Sequence, residues 1–213
     1  SQSCDLRRCR WSALFAAASL MKMRAFIFLC LAALLAGCGG GNKIEAIYQL
    51  NALPDPGVPG GTTAQILVPE PRALEALATS KIAVKPTPIT LSYYASVALE
   101  DTAPKVLQRM LLDTYQNTGR VRAVGLPGQS LLINYQVVTE VRAFQAETYD
   151  GDRARVVVSV KLLNDSNGRV VKDRIFTTVV PISGDSAEAA AEGLNRATQQ
   201  LSADIVAWTL TGL

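Results

Sequence analysis

The chain has 213 residues, of which 49% are hydrophobic and 18% are charged, and its formal net charge is +3 at pH 7. It contains four cysteines and no histidine. The lack of histidine excludes Ser-His and Cys-His nucleophilic pairs and removes the commonest general base and metal ligand. The length and the apolar content suit one globular domain with a substantial core.

The first 37 residues differ in composition from the rest. Residues 1–20 precede two candidate start methionines, Met21 and Met23, and we interpret them as an upstream or non-native extension, or alternatively as an unusually long n-region. Residues 21–37 are interpreted as a signal peptide, because a short basic stretch precedes the 13-residue apolar run AFIFLCLAALLAG. A transmembrane helix needs about 20 apolar residues, so this run is too short to remain as a membrane span.

Leu35, Ala36, Gly37 and Cys38 fit the lipobox of bacterial lipoproteins. In such a sequence the cysteine receives diacylglyceryl and N-acyl lipid and becomes the first residue of the mature chain. We therefore expect a lipid anchor on Cys38, a flexible tether over residues 38–43, and a single domain over residues 44–213. An ordinary cleavage site that happens to contain a cysteine is the alternative.

Removal of residues 1–37 would change both the charge and the cysteine count. Five of the 21 basic and one of the 18 acidic side chains would leave, so 16 basic and 17 acidic residues would remain, a net charge of −1. This balance gives no support for a nucleic-acid partner. Cys38 would be the one remaining cysteine, so neither a disulfide nor a thiolate metal site is expected.

The first half of the mature chain is predicted to contain short strands and a middle helix. Strands are predicted at residues 44–53, 64–68, 81–84 and 89–95, and a short helix at residues 72–79. The middle helix is capped by Asp101 or Thr102, has Pro104 in its first turn and ends at Gly119. An exposed strand edge at residues 64–84 could pair with another chain, which leaves a homo-oligomer open.

The second half has the most regular pattern. Alternating apolar residues predict strands at residues 131–144, 153–163 and 170–180, and turn sequences at 149–152 and 164–168 connect them as an antiparallel meander. One face of the first of these strands is predicted to carry Ile133, Tyr135, Val137, Thr139, Val141 and Ala143. A long amphipathic helix then begins with a capping-box-like pair, Asp185 and Glu188, and extends to Trp208.

These elements predict an α/β (α+β) sandwich. Its sheet is mixed and mostly antiparallel, and it packs against the middle helix and the long C-terminal helix. The apolar stripe of the C-terminal helix is interpreted as the face that contacts the sheet, in preference to a partner-binding surface.

Carboxylate pairs are the remaining candidates for acid–base catalysis. Glu100 with Asp101 lies at a helix entry, and Asp150 with Asp152 lies in a hairpin turn, which are ordinary places for acidic residues. Phosphate-binding, dinucleotide-binding, zinc-protease and serine-hydrolase motifs are not found in the sequence. We therefore predict no catalytic and no metal-binding residue, no enzymatic activity, and no cofactor other than the covalent lipid on Cys38.

Residues spread along the domain resemble the ABC-type transport auxiliary lipoprotein family, which includes the PqiC-like proteins. They include Tyr93, Tyr94, Asp101, Phe144, Phe176 and Trp208. The resemblance covers nearly all of residues 45–210, and it lies in the order and spacing of these residues. Family members often have tryptophan where this chain has Leu99. We interpret the aromatic members as structural, because large apolar groups on strands and helices are usually buried.

The resemblance implies a membrane-anchored periplasmic component of an MCE-type ABC transport system, which moves lipids or other hydrophobic molecules across the cell envelope. Its partners would be an MCE-domain substrate-binding protein and the ABC permease and ATPase, and its role non-catalytic docking or receiving. Gly39 follows Cys38 where aspartate would signal inner-membrane retention, so the periplasmic face of the outer membrane is expected. The alternative is a structural or regulatory envelope lipoprotein, such as a cell-wall synthase activator or a secretion-pore subunit.

Overall fold

The computed structural model describes residues 43–129, 132–211 and 213; Cys38 and the predicted signal peptide lie outside them. The strands in chain order are β1 (Ala46–Tyr48), β2 (Thr62–Leu67), β3 (Arg72–Ala73), β4 (Ala83–Thr87), β5 (Thr90–Tyr93), β6 (Val97–Leu99), β7 (Val121–Gly125), β8 (Tyr135–Glu147), β9 (Arg153–Asn164) and β10 (Val170–Pro181). The helices are α1 (Ala103–Thr118), between β6 and β7, and α2 (Ala187–Leu210), after β10. The predicted fold, a mixed sheet with a middle helix and a long C-terminal helix, is confirmed.

Three long antiparallel strands form the main part of the sheet. β9 pairs with β8 on one side and with β10 on the other, as the predicted meander requires. Alternate residues of β9 point into the core and are fully buried, because each second side chain of a strand faces the same way. These residues are Ala154, Val156, Val158, Val160 and Leu162.

The other side of β8 is covered by three short parallel strands in succession. β2, β3 and β4 pair with the beginning, middle and end of β8, and β2 also pairs with β7. The prediction of an exposed edge at residues 64–84 is therefore wrong, since the strands of this segment are hydrogen-bonded to β8. β4 also forms an antiparallel hairpin with β5, and β1 and β6 form a separate parallel pair.

The short helix predicted at residues 72–79 is also wrong. Arg72 and Ala73 instead form β3, opposite Glu140 and Val141 of β8, and a turn follows in which Leu77 N donates to Leu74 O at 2.8 Å. The local sequence RALEALAT favours a helix. The backbone N–H and C=O groups of β8 need partners on this side, however, and residues 72–73 supply them as a strand.

A β-bulge in β8 changes which residues face the core. Its register with β9 shifts between Val141 and Ala143, so Phe144 rather than Ala143 continues the inner face and lies opposite Val156. Ala143, predicted to share a face with Val141, points the other way, opposite Val157.

The two helices begin and end largely where the sequence indicates. α1 has Thr102 as its N-cap residue and Pro104 in the first turn, and it ends at Gly119 with a left-handed φ of 61°, which glycine adopts without strain. In α2 the N-cap is Ser186, whose Oγ accepts from Ala189 N at 3.1 Å, so the predicted pair Asp185 and Glu188 does not supply the cap. Within the described residues, neither helix has the length and apolar character needed to span a bilayer.

One core joins the sheet and both helices. α2 packs on β8, β9 and β10, and α1 packs on α2 and β7. The close approach of α2 to the sheet depends on Gly193, because a Cβ at this position would lie 2.9 Å from Ala154 Cβ and closer still to the Ile182 side chain. The sheet and α2 thereby fix the geometry of the groove between β10 and α2.

Candidate docking groove

β10 is an edge strand of the sheet. Among the described residues its backbone pairs with β9 and with no other strand, so its second edge presents free N–H and C=O groups. Val171, Ile175 and Val179 on its outer face are 48%, 53% and 44% exposed. An apolar edge strand of this length is suited to pairing with a further chain.

The inner face of β10 meets the C-terminal half of α2. Phe176 lies at the centre of β10, and Trp208 lies in the last turns of α2. Their ring centroids are 5.6 Å apart at an interplanar angle of 78°, which is the favourable edge-to-face arrangement. Phe176 is 6% exposed, whereas Trp208 is only half-buried. The indole thus packs partly against the core and is partly exposed at the surface.

Two basic residues of β10 lie over these rings. Lys172 Nζ is 4.7 Å from the Trp208 centroid, and the Arg174 guanidinium carbon is 5.0 Å from the Phe176 centroid. A cation over an aromatic face is attracted by the negative charge of the ring face. Lys172 Nζ also donates to the carbonyl oxygens of Trp208 at 2.6 Å and Thr211 at 2.7 Å. Burial lowers the pKa of Lys172.

An open groove of about 690 Å³ runs between β10 and α2. It is lined by Arg174, Ile175, Phe176, Thr177, Asp204, Ala207, Trp208 and Thr211. Aromatic and aliphatic groups form its apolar part, a guanidinium lies on the strand side, and an exposed carboxylate lies on the helix side. Since the free edge of β10 borders the groove, an extended peptide that pairs with the strand would place alternate side chains into it. We name this site the β10–α2 groove.

The paired tyrosines of the family pattern lie elsewhere. Tyr93 on β5 is 37% exposed, and its hydroxyl donates to Ala76 O at 2.9 Å, so it lies at the surface rather than in the core. Tyr94 has a buried hydroxyl with no hydrogen-bond partner among the described residues. Burial raises the pKa of Tyr94, and the carboxylates of Asp185 and Asp152 raise it further.

Asp101 and Phe144 also lie outside the groove. Asp101 precedes α1, accepts from Thr102 N at 2.7 Å and lies 3.8 Å from Lys105 Nζ. Phe144 on β8 is 2% exposed and belongs to the core. Of the predicted family-pattern residues, the structure brings Phe176 and Trp208 together at the groove, and Cys38 lies outside the described residues.

The acidic residues considered for catalysis belong to salt bridges and turns. Asp150 lies in the β8–β9 turn and accepts from Arg153, while Arg109 bonds both Glu100 and the carbonyl of Leu50. In the described part of the chain, histidine, cysteine and acidic side chains form no cluster of three or more suited to a metal ion.

A buried carboxylate lies at the end of β8. Glu147 is 3% exposed and accepts from Arg153 Nε at 2.8 Å and from Gln145 at 3.2 Å, with Arg155 at 3.9 Å. Burial alone would raise its pKa, but these hydrogen bonds and the nearby positive charges outweigh burial and hold the pKa of Glu147 below its ordinary value. This cluster anchors the β8–β9 turn.

Sequence reasoning did not identify Lys172, Arg174 or Asp204 as members of a site. A signal was present, because Lys172 and Arg174 alternate with Phe176 on one face of a predicted strand, where charged residues are unusual if that face is buried. The position of Asp204 depends on how α2 packs and carries no comparable signal.

Comparisons with known proteins agree with this fold. The chain matches the family described as the ABC-type transport auxiliary lipoprotein component over residues 48–206. It is similar to a Xanthomonas campestris protein of known crystal structure, with a TM-score of 0.71 and 28% identity, covering 78% of this chain and 94% of that one. A second crystal structure, of an uncharacterized protein, has a TM-score of 0.63 at 15% identity, covering 78% of this chain and 99% of the other, and shows the fold alone.

A curated relative is an uncharacterized protein of Bradyrhizobium diazoefficiens, which is 26% identical over 174 residues. The match covers 81% of this chain and 47% of the relative, so the chain spans about half the length of the protein it matches. Because the family match covers most of the described domain, the chain belongs to the family of ABC-type transport auxiliary lipoprotein components.

Proposed function

We propose that this protein is the lipid-anchored auxiliary subunit of an MCE-type ABC transport system that moves lipids or other hydrophobic molecules across the cell envelope. Its partners are an MCE-domain substrate-binding protein and the ABC permease and ATPase. Its role is non-catalytic docking, and the β10–α2 groove is the docking site. Family membership supports the link to ABC transport.

The observation that carries the docking role is the free edge of β10 beside the groove. A partner segment in extended conformation can gain main-chain hydrogen bonds along β10 and place a side chain between Arg174 and Trp208. Arg174 and Asp204 stand on opposite sides of the groove and can each bind a polar group of opposite charge on the partner. The chemistry of the groove therefore suits a peptide with alternating apolar and charged side chains.

The same chemistry argues for docking over receiving the transported molecule. Sites for hydrophobic molecules are enclosed and mostly apolar. The β10–α2 groove is open and carries Arg174, Thr177, Asp204 and Thr211 along its walls. An acyl chain there would leave those groups next to hydrocarbon, which costs free energy.

The anchoring part of the proposal concerns Cys38 and Gly39. The lipobox supports lipid on Cys38, and Gly39 supports transfer to the periplasmic face of the outer membrane. Mass spectrometry of the N-terminal peptide of membrane-extracted protein should show a diacylglyceryl and an N-acyl group on Cys38. Fractionation that finds the protein only in the inner membrane would contradict the location.

The docking role can be tested by fluorescence. The chain has two tryptophans, Trp11 and Trp208, and the proposed processing removes Trp11. Titration of the mature protein with the MCE-domain partner should therefore shift the emission of Trp208, the tryptophan that this chain would keep after processing. Arg174→Glu, which reverses the charge on the strand side of the groove, should weaken binding by about tenfold or more.

A matched control lies on the neighbouring strand. Lys161→Glu makes the same charge reversal on exposed β9 surface outside the groove and should leave binding unchanged. Equal effects of the two variants would contradict docking at this groove. Co-purification with a cell-wall synthase or a secretion pore, without transporter subunits, would contradict the proposed system.

The non-catalytic role has its own test. Asp101 precedes α1, and Asp150 and Asp152 lie in the β8–β9 turn. Replacement of all three by asparagine should leave transport in cells unchanged. A loss of transport from correctly folded and localised protein would show that these carboxylates take part in chemistry.

A further inference from the structure

Three connections meet at one end of the sheet. They are the β4–β5 hairpin tip at residues 86–90, the β8–β9 turn at 148–152 and the β10–α2 loop at 182–186. Thr148 N donates to Lys85 O at 3.0 Å, which joins the hairpin to the turn, and Ile182 N donates to Asp152 O at 3.0 Å, which joins the turn to the loop. We call this the proximal end.

The described chain also enters the domain near the proximal end. Glu45 N donates to Ser96 O at 2.7 Å, and Ser96 lies two residues after Tyr94. Tyr94 N in turn donates to Ile82 O at 3.0 Å, and the neighbouring Ala83 lies opposite Gln145, two residues before the end of β8. Lys43, the first described residue, is therefore attached to the half of the domain that carries the proximal end.

The covalent chain limits how far this end can lie from a lipid on Cys38. Lys43 is the fifth residue after Cys38, so the connection from Cys38 to Lys43 spans residues 39–43. A fully extended chain spans at most about 3.3–3.6 Å per residue, so these five residues reach no more than about 18 Å. The opposite end of the sheet is far beyond that distance, because the 13 residues of β8 extend over about 40 Å.

The hairpin tip presents an apolar side chain at the proximal end. Ile89 is 96% exposed, the highest value among the large hydrophobic residues that the structure describes as exposed. Its hairpin is stiffened by Pro86 and Pro88, and by Thr87 Oγ1, which lies 2.8 Å from Thr90 Oγ1 and accepts from Thr90 N at 3.1 Å. The fold therefore holds Ile89 in solvent on a rigid support.

A single exposed isoleucine is ordinary on a protein surface. Ile89 differs because the short tether would keep its end of the domain close to the bilayer that holds the Cys38 lipid. Leu132 is 83% exposed but lies at the opposite end of the sheet, farther from the lipid than the tether can reach. Ile44, close to the anchor, is 54% exposed and adds apolar surface on the entering segment. Burial of an isoleucine side chain in an apolar environment is favourable, because it removes apolar surface from water.

We propose that the proximal end faces the bilayer that holds the Cys38 lipid, and that Ile89 enters the interfacial region of that bilayer. This inference rests on the proposed lipidation of Cys38. In this arrangement the opposite end of the sheet, with its β9–β10 turn, points away from the membrane. β10 and the β10–α2 groove then extend away from the bilayer surface, where a partner that crosses the periplasm can pair with them.

The test uses the full, processed and lipidated protein in vesicles of phosphatidylethanolamine and phosphatidylglycerol. The thiol of Cys38 is consumed by the lipid and the other cysteines leave with the signal peptide, so an introduced cysteine is the one free thiol. Ile89→Cys and Leu132→Cys carry the same environment-sensitive fluorophore, and both positions are exposed enough to accept it without disturbing the fold. Spin-labelled lipids then quench any probe that enters the bilayer.

The probe at residue 89 should show a blue-shifted emission and at least about threefold stronger quenching than the probe at residue 132. Equal quenching at both positions, stronger quenching at residue 132, or quenching at residue 89 that requires an added partner protein would overturn the proposal. Mass spectrometry of the same samples distinguishes failure of the proposed orientation from failure of the proposed lipidation. Lipid on Cys38 without quenching at residue 89 rejects the orientation alone, whereas Cys38 without lipid rejects the proposed anchoring as well.

Discussion

Lys172 Nζ lies 2.6 Å from the carbonyl oxygen of Trp208 and 4.7 Å from the centroid of its indole ring. One ammonium group on the edge strand thereby binds both the backbone and the side chain at the C-terminus of α2. Helix C-termini carry unpaired carbonyls and partial negative charge, which a lysine satisfies. The contact fixes the wall of the β10–α2 groove and joins the edge of the sheet to the last helix.

Lys172→Met should lower the free energy of unfolding by about 1–3 kcal/mol, because methionine retains the apolar stem but donates no hydrogen bond to the carbonyls of Trp208 and Thr211. Urea denaturation of the two proteins measures the difference. Lys161→Met on the exposed face of β9 is the control and should change stability by less than about 0.5 kcal/mol. Equal stability of Lys172→Met and the wild type would show that the contact contributes little.

Glu147→Gln should destabilise the protein by about 1–3 kcal/mol at pH 7, because it removes a buried carboxylate from Arg153 and Arg155. The lowered pKa of Glu147 fixes the pH dependence. Its stabilisation is complete above the ordinary carboxyl pKa and is lost as the pH falls through the lowered value, so the difference from wild type should shrink below about pH 4. Urea denaturation of both proteins at a series of pH values measures this difference in the free energy of unfolding.

Glu140→Gln supplies the control for that experiment. Glu140 contacts Arg142 at 3.4 Å with both side chains near half exposed, so its replacement should have little effect at any pH. A constant difference between Glu147→Gln and wild type down to pH 3 would contradict the role assigned to the ionised carboxylate.

Gly193→Ala should destabilise the protein by about 1–3 kcal/mol, because the added methyl group would collide with Ile182 and Ala154. On an isolated helix the same change would stabilise by about 1 kcal/mol, so the sign of the effect reports the contact. Thermal and urea denaturation check the sign. In the background of Ile182→Ala, which removes the main obstacle, Gly193→Ala should cost less, and an unchanged cost would argue against this contact.

Ser202→Ala should stabilise the protein by about 1 kcal/mol. Ser202 is fully buried in α2, and its Oγ has no hydrogen-bond partner among the described residues, so alanine removes an unsatisfied group and improves helix propensity. Thr198→Ala is the contrast, since the equally buried Thr198 Oγ1 donates to Leu194 O at 2.7 Å. That variant should lose stability, and a loss of similar size in Ser202→Ala would reveal a partner for Ser202.

The elements that the sequence predicted well are those with local causes. Pro104 and Gly119 bound α1 because proline suits a first helical turn and glycine suits a left-handed residue at the end. β9 follows from its strict alternation of apolar residues, and its turns contain Asn, Asp and Gly. The family resemblance, read from Tyr93 to Trp208, is confirmed by the match over residues 48–206.

The elements that were missed depend on distant residues. β6 and β7 are short and receive their hydrogen bonds from β1 and β2, so no periodic pattern shows them. Residues 72–79 have helix-favouring composition, and pairing with β8 overrides it. The bulge after Val141 exchanges the two faces of β8, because the side-chain period of a strand is two and one extra residue inverts it.

By itself the sequence determined the class of fold, the position of the two long helices, the lack of histidine chemistry and the resemblance to a transport lipoprotein. Composition, capping residues and strand periodicity act within a few residues, so they can be read along the chain. Only the tertiary structure decided that Lys172, Arg174, Phe176, Asp204 and Trp208 form one groove, and that Ile89 lies at the end where the chain enters. Those relations arise from sheet register and helix packing, which join residues more than thirty positions apart.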